Sequence, residues 1–211
     1  MITKPDSLIF DMDGTLWDAA DSYVESWNEG VKLENIERVF TRADLVYMMG
    51  WERGKVLQYM FPDKTTDEQE NIYQTINLCR AEIIPRSGGI VYDGVRDGIS
   101  TLSSKYNLFI VSNCPKGLIR EFMKWADIEP FITDQMAHGD NSMPKHHNID
   151  LLANKHNLKQ PVYIGDTNGD SIDSRKSNIP FVLVTYGFGT SDDYDLKFDD
   201  FKSLTTFFMD L

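Results

Sequence analysis

The sequence predicts an α/β protein in which a parallel sheet is covered by helices on both faces, with an all-helical domain inserted near the start of the chain. Three observations predict it. Short apolar runs at residues 7–10, 108–112, 162–165 and 181–185 end in polar or glycine-containing turns and read as buried strands. Segments of helical periodicity at 93–104, 118–125, 149–156 and 171–177 lie between those runs, the alternation expected of strand–helix–strand crossovers. The block from 18 to 84 breaks this rhythm: it is acidic, helical in period and almost free of β-branched runs. It is too long to be a plain crossover, so it reads as a cap domain.

Taken in order, the first strand is bounded by Pro5-Asp6 and Asp11, and Asp13-Gly14-Thr15 breaks it. Helices are expected at 21–31, 41–49, 51–60 and 67–82, with Thr66 capping the last and Gln69 at its capping-box position. Met49-Gly50-Trp51 and Phe61-Pro62-Asp63 are turns between them, and residues 85–89 read as a linker. A short strand is expected at 131–133 and a terminal helix at 201–209. Within 192–200, the alternation of Tyr194, Leu196 and Phe198 suits an edge strand with a solvated face. The expected division is a core of residues 1–17 and 85–211 and a cap of residues 18–84.

Bulk properties narrow the function. The 211 residues are 41% hydrophobic, enough for one well-buried core and a small second domain. A net charge of -12, with no basic stripe, argues against nucleic acid and anionic membrane as partners. The same charge repels a phosphorylated substrate, so a phosphate site needs local positive charge from a metal ion, lysines or N–H groups. Cys79 and Cys114 lack metal-ligand spacing and suit a reduced compartment. The first ten residues lack the long apolar stretch of a signal peptide, no segment approaches transmembrane length, and the expected location is the cytoplasm. Oligomeric state is not specified by these features.

Ligands of an open α/β sheet bind beyond the carboxyl ends of its strands. Asp11 and Asp13 follow the first strand, Ser112 and Asn113 end the second, and Asp166 and Asp170 follow the strand at 162–165. Lys145 precedes the helix before that last strand. Three carboxylates meeting at one edge would repel one another, and a hard divalent cation such as magnesium would relieve this. Residues two apart on an extended strand point to the same side, so Asp11 can attack while Asp13 handles protons. Gly14 permits a tight turn whose amides cradle an anion, and Lys145 and the Ser112 hydroxyl can hold phosphoryl oxygens.

These residues carry a resemblance. Asp11-Met12-Asp13-Gly14-Thr15-Leu16 resembles the first motif of the haloacid dehalogenase-like superfamily, Ser112-Asn113 the second, Lys145 in Met143-Pro144-Lys145 the third, and Gly165-Asp166-Thr167-Asn168-Gly169-Asp170 the fourth. All four stand in family order, from about Ile9 to the Gly187 region. The insertion just after the first motif resembles the small helical-cap branch that holds phosphoglycolate phosphatases and beta-phosphoglucomutases.

The resemblance implies a Rossmann-like core and a magnesium-dependent phosphatase acting on a small phosphorylated metabolite. Asp11 would become an aspartyl-phosphate, and Asp13 would protonate the leaving oxygen and then activate water. Magnesium would be held by the Asp11 carboxylate, the Asp13 backbone carbonyl and the Asp166 carboxylate. Asp170 would bind a metal water or brace Lys145, and Gly14, Thr15, Ser112, Asn113 and Lys145 would bind phosphate. The presence of Asp13 argues against a dehalogenase, which lacks it. A mutase acting within a sugar phosphate, and a non-enzymatic binding protein on the same fold, remain as alternatives.

Other features have plainer readings. Asp170 can be the N-cap of the helix at 171–177. His138, His146 and His147 lack a zinc spacing and suit surface contacts or helix-start packing. Cys114 has no histidine partner placed by the sequence and reads as a small packed residue. Trp17, Arg42, Met49, Trp51, Arg53 and Lys55 are candidates to face substrate, although cap cations are mostly surface charges and cap aromatics mostly core. The expected lid action of the cap would exclude water and restrict substrates to small molecules.

Overall fold

The computed structural model describes Ile2 and residues 4–211. It divides into two compact units, one made of the described residues up to Asp18 with Val91–Leu211, the other of Ala19–Ile90.

The first unit is built on a six-stranded sheet. The strands are β1 (Ser7–Phe10), β4 (Asn107–Ser112), β5 (Asp134–Ala137), β6 (Pro161–Gly165), β7 (Phe181–Val184) and β8 (Leu196–Phe198). All of their pairings are parallel. The chain builds outward from β1 through β4 and β5, then reverses to add β6, β7 and β8 on the other side. β1 therefore sits where the strand order reverses, the position at which open sheets leave a crevice. Helices α5 (Val95–Ser103), α6 (Leu118–Ala126), α7 (His138–Asn141), α8 (Lys145–Lys155), α9 (Asn168–Lys176) and α10 (Phe201–Asp210) complete this unit, with the short strands β2 (Trp17–Asp18) and β3 (Ile90–Val91) where the chain leaves and returns.

Parallel strands buried on both faces need apolar residues at every position. Leu8, Ile9 and Phe10 accordingly have no exposed surface. On one face Ile9, Phe109, Val111, Tyr163, Phe181 and Leu183 pack with Ile149 and Leu152 of α8. On the other, Phe10 meets Phe201 of α10 at 5.9 Å between ring centroids.

The helical unit contains α1 (Ala20–Leu33), α2 (Arg42–Tyr47), α3 (Arg53–Met60) and α4 (Thr66–Ser87). Its centre holds Trp27, Phe40 and Phe61, whose rings meet at 5.2 to 6.1 Å. Asn28 ties in the segment before α2, donating to the Phe40 carbonyl (2.9 Å) and accepting from the Phe40 amide (2.7 Å).

Three local expectations are corrected. The cap of α4 is Thr65, not Thr66: its hydroxyl accepts from the Glu68 amide (3.3 Å) and Glu68 accepts from the Thr65 amide (2.8 Å). Gln69 is instead buried, donating to the carbonyls of Phe61 (2.8 Å) and Lys64 (3.1 Å). The supposed linker at 85–89 is largely helix. α4 runs through Pro85 to Ser87, held by buried Ile83 and Ile84, and ends at Gly88 with φ +57°. The strand expected at 131–133 lies at Asp134–Ala137, after a 3-10 turn at Glu129–Phe131, because pairing with β4 sets its position.

α1 and α4 approach closely at Gly30, where an added Cβ would lie 2.5 Å from Ile76 Cγ1 and 2.8 Å from its Cα. Alanine would gain roughly 0.5–1 kcal/mol of helix propensity, but overpacking against backbone costs about 1–3 kcal/mol. Gly30→Ala should therefore lower the urea midpoint of the protein; an equal or higher midpoint would show that the helices are not in contact there.

Candidate active site

Asp11 is the first residue past β1. Its amide donates to the Ile164 carbonyl (2.8 Å), so the sheet ladder extends one residue beyond the strand and fixes the Asp11 backbone. Lys145 does not precede a helix but opens α8, and its side chain is 2% exposed. Its Nζ donates to Asp11 Oδ1 (2.9 Å) and Asp170 Oδ1 (2.6 Å). A cation in a first helical turn opposes the helix dipole. The two carboxylates, rather than local helix chemistry, account for a lysine there.

Asp170 is not an N-cap. α9 begins at Asn168 with Thr167 as its cap, and Asp170 is the third residue of the helix. Asp170 Oδ2 accepts from the Thr167 amide (3.0 Å) and hydroxyl (2.7 Å), while the Thr167 hydroxyl accepts from the Asp170 amide (3.2 Å). This capping box holds one Asp170 oxygen and presents the other to Lys145.

Asp166 has no exposed surface. Its Oδ2 accepts from the amides of Phe188 (2.7 Å) and Gly189 (3.2 Å), and its Oδ1 from the Thr15 hydroxyl (3.3 Å). Two glycines make room for it. Gly14 has φ +86°, and a Cβ there would lie 2.2 Å from Asp166 Oδ2. A Cβ on Gly187 would meet the Gly14 carbonyl at 2.3 Å and Asp166 Cβ at 2.4 Å. This segment after β7 lies outside the four sequence motifs. Its signal is the pair Gly187 and Gly189 just past a strand end.

Asp13 faces another partner: its Oδ1 accepts from the Trp17 indole Nε1 (3.0 Å). Trp17, proposed from the sequence as a substrate contact, has no exposed surface and packs against Phe122. Ser112 is buried at the end of β4, and Asn113 follows it. Within the helical unit Arg42 pairs with Asp21 at the surface (3.1 Å), and Lys55 sits 3.6 Å above the Trp51 ring. His138 contacts the Met143 carbonyl and His146 contacts Asp173.

Oxygens of Asp11, Asp166 and Asp170 lie within 4.8 Å of one another, all buried. Burial pushes the Asp11 carboxyl well above its ordinary range; Lys145 opposes this, while Asp170 and Asp166 reinforce it. Burial, with Asp170 beside it, raises Asp166 to about 7, against the pull of the Phe188 and Gly189 amides. For Lys145, burial disfavours the ammonium, but Asp11 and Asp170 outweigh it and hold the lysine above its usual range. When all three are ionised, three carboxylates face one ammonium and leave two negative charges, a surplus that burial opposes by favouring protonation. Hard oxygen donors with that surplus fit a divalent cation.

The sequence model of the haloacid dehalogenase-like hydrolase family matches residues 8–184. The chain belongs to that family. It is similar to a phosphoglycolate phosphatase of Haemophilus influenzae, 26% identical over 93% of this chain and 95% of that protein. It is also similar to a pyrophosphatase of Listeria monocytogenes, 26% identical over 81% of this chain and 78% of that one. A haloacid dehalogenase-like family hydrolase from Streptococcus pneumoniae shares the fold, with TM-score 0.83 and 20% identity over 97% of this chain and 98% of its own. With the aspartate group in place on this fold, the chain is an enzyme, a hydrolase of the phosphatase class. Among the described residues, no helix is long and apolar enough to cross a membrane.

The raised Asp166 has a consequence for stability. Between its ordinary value of 3.8 and about 7, the folded protein holds a proton there that the unfolded chain has released. The folded state thus binds more protons, and the contribution of this group falls as pH rises through that window, by up to about 4 kcal/mol. In divalent-free buffer, Asp166→Asn should gain on the parent from pH 4 to 7 and level off above, measured by urea denaturation at each pH. A difference that stays flat would show that Asp166 titrates as an ordinary surface carboxylate.

Proposed function

We propose that this enzyme hydrolyses small phosphomonoesters in a magnesium-dependent reaction that passes through an aspartyl-phosphate on Asp11. The observation that carries the reading is the environment of the Asp11 carboxylate. Lys145 holds its Oδ1, and among the described residues its Oδ2 accepts no hydrogen bond. One oxygen is oriented and the other is left to attack.

In the first step Asp11 Oδ2 forms a bond to phosphorus while the bond to the leaving oxygen breaks and Asp13 supplies that oxygen with a proton. In the second, Asp13 takes a proton from water, the water oxygen attacks phosphorus, and the Asp11–phosphorus bond breaks. Lys145 remains an ammonium throughout and favours the ionised form of Asp11 against its burial. Ser112, Asn113 and Lys145 receive the phosphoryl oxygens; the Gly14 and Thr15 amides, expected from the sequence to cradle the anion, instead donate to the carbonyls of Trp17 (2.9 Å) and Met12 (3.3 Å). Asp11, Asp166 and the Asp13 carbonyl would hold the cation, and Asp170 braces Lys145. When bound, magnesium would neutralise the surplus negative charge and stabilise the transferring phosphoryl group.

Phosphoglycolate is the first substrate to try, since a relative spanning nearly the whole chain carries that activity in its name. The pyrophosphatase relative makes pyrophosphate the second. The cytoplasm is the setting we favour, because Cys79 and Cys114 are both buried as thiols rather than joined in disulfides.

A panel of small phosphomonoesters and pyrophosphate, assayed for phosphate release with and without magnesium, tests the proposal. Release should require the cation and favour a small phosphomonoester. Asp11→Asn should lower it by about a thousandfold or more. Metal-independent release, parental turnover in Asp11→Asn, or isomerisation of a sugar phosphate without phosphate release would overturn it.

A further inference from the structure

We propose that Trp17 is a positioning residue for the acid–base step: its indole N–H fixes the Asp13 carboxyl group so that one oxygen is held and the other carries the proton. The inference rests on Asp13 being the proton carrier of the proposed reaction.

The indole Nε1 donates to Asp13 Oδ1 at 3.0 Å. Trp17 is itself immobilised. It has no exposed surface, and its ring packs on Phe122 with centroids 4.9 Å apart. Its carbonyl accepts from the Gly14 amide (2.9 Å), and its amide donates to the Met12 carbonyl (3.3 Å). A bridge between Asp13 and Trp17 closes the same loop. The indole therefore arrives at Asp13 from a fixed direction, set by the backbone that also carries Asp11 and Gly14.

The chemistry of the donor suits this role. A residue that first gives and then takes a proton needs a partner tolerant of both states. A lysine, histidine or hydroxyl beside it can exchange protons or change its hydrogen-bond sense. An indole N–H only donates. It can bond Oδ1 when Asp13 is a carboxylate and, more weakly but from the same direction, when Asp13 is an acid with its proton on Oδ2. Asp13 thus keeps one orientation through both steps, and the geometry needed for proton transfer is set before substrate arrives.

The test compares the parent with Trp17→Phe and with a chain bearing β-(3-benzothienyl)alanine at position 17, an isostere of similar shape without the N–H. Quenched-flow measurement follows release of the leaving alcohol in the first turnover from an alkyl phosphate and from para-nitrophenyl phosphate. The alkyl ester needs a proton on its leaving oxygen, whereas the aryl ester needs little help. Loss of the N–H should slow the alkyl ester about tenfold to a hundredfold, leave the aryl ester within about threefold, and leave KM unchanged. In an Asp13→Asn background the Trp17 changes should add nothing.

Equal slowing of both esters, a raised KM with unchanged turnover, or parental rates in the isostere would overturn the proposal. The underlying reading fails separately: Asp13→Asn alone must be selective against the alkyl ester. If it is not, Asp13 is not the acid and the role of Trp17 falls with it. If Asp13→Asn is selective and the Trp17 variants are not, only the positioning role is overturned.

Discussion

The site depends on one buried ammonium held between two carboxylates. Lys145 touches Asp11 and Asp170 with all three side chains almost fully excluded from solvent. Removing one member of a buried charged group leaves its partner desolvated and unpaired, at a cost of about 3–5 kcal/mol. The lysine therefore both organises the site and permits it to exist. It also helps to fix the relation between α8 and α9, since it opens α8 while Asp170 lies in the first turn of α9. The parallel sheet supplies the convergence by placing the ends of β1 and β6 side by side.

A second constraint is lack of space. Asp166 is enclosed so tightly that a Cβ on Gly14 or Gly187 would overlap its side chain, and one on Gly165 would meet Asp170 Cγ at 2.6 Å. Close backbone approach lets amides rather than side chains satisfy Asp166, as Phe188 and Gly189 do. The carboxylate cannot move away from its neighbours, and burial raises it accordingly. Crowded acids, one ammonium and hard oxygen donors are a good setting for a divalent cation.

Much of this was legible in the sequence because the interior strands are buried on both faces. β1, β4, β6 and β7 stand out as short apolar runs for that reason, and the aspartates follow two of them directly. β5, with the sequence DQMA, has no apolar run; its hydrogen bonds to β4 define it, and no local pattern reports them. The shift of the α4 cap from Thr66 to Thr65 shows how two adjacent threonines leave the choice to Glu68. Asp170 was visible as a motif residue, but its capping box was not, because the helix starts inside the motif at Asn168. Trp17 read as a ligand contact from its residue type alone. That its N–H serves Asp13 is a property of the folded loop.

The central claim is that Asp11, oriented by Lys145, is the group that takes the phosphoryl. Acid-quenching the Asp13→Asn variant during reaction with an aryl phosphate tests it most directly, because the first step needs little protonation and breakdown of the intermediate is slowed. Intact-mass measurement and peptide mapping should find one covalent phosphoryl group, on Asp11. A phosphoryl group mapped to Ser112, Cys114 or any other residue would contradict the account.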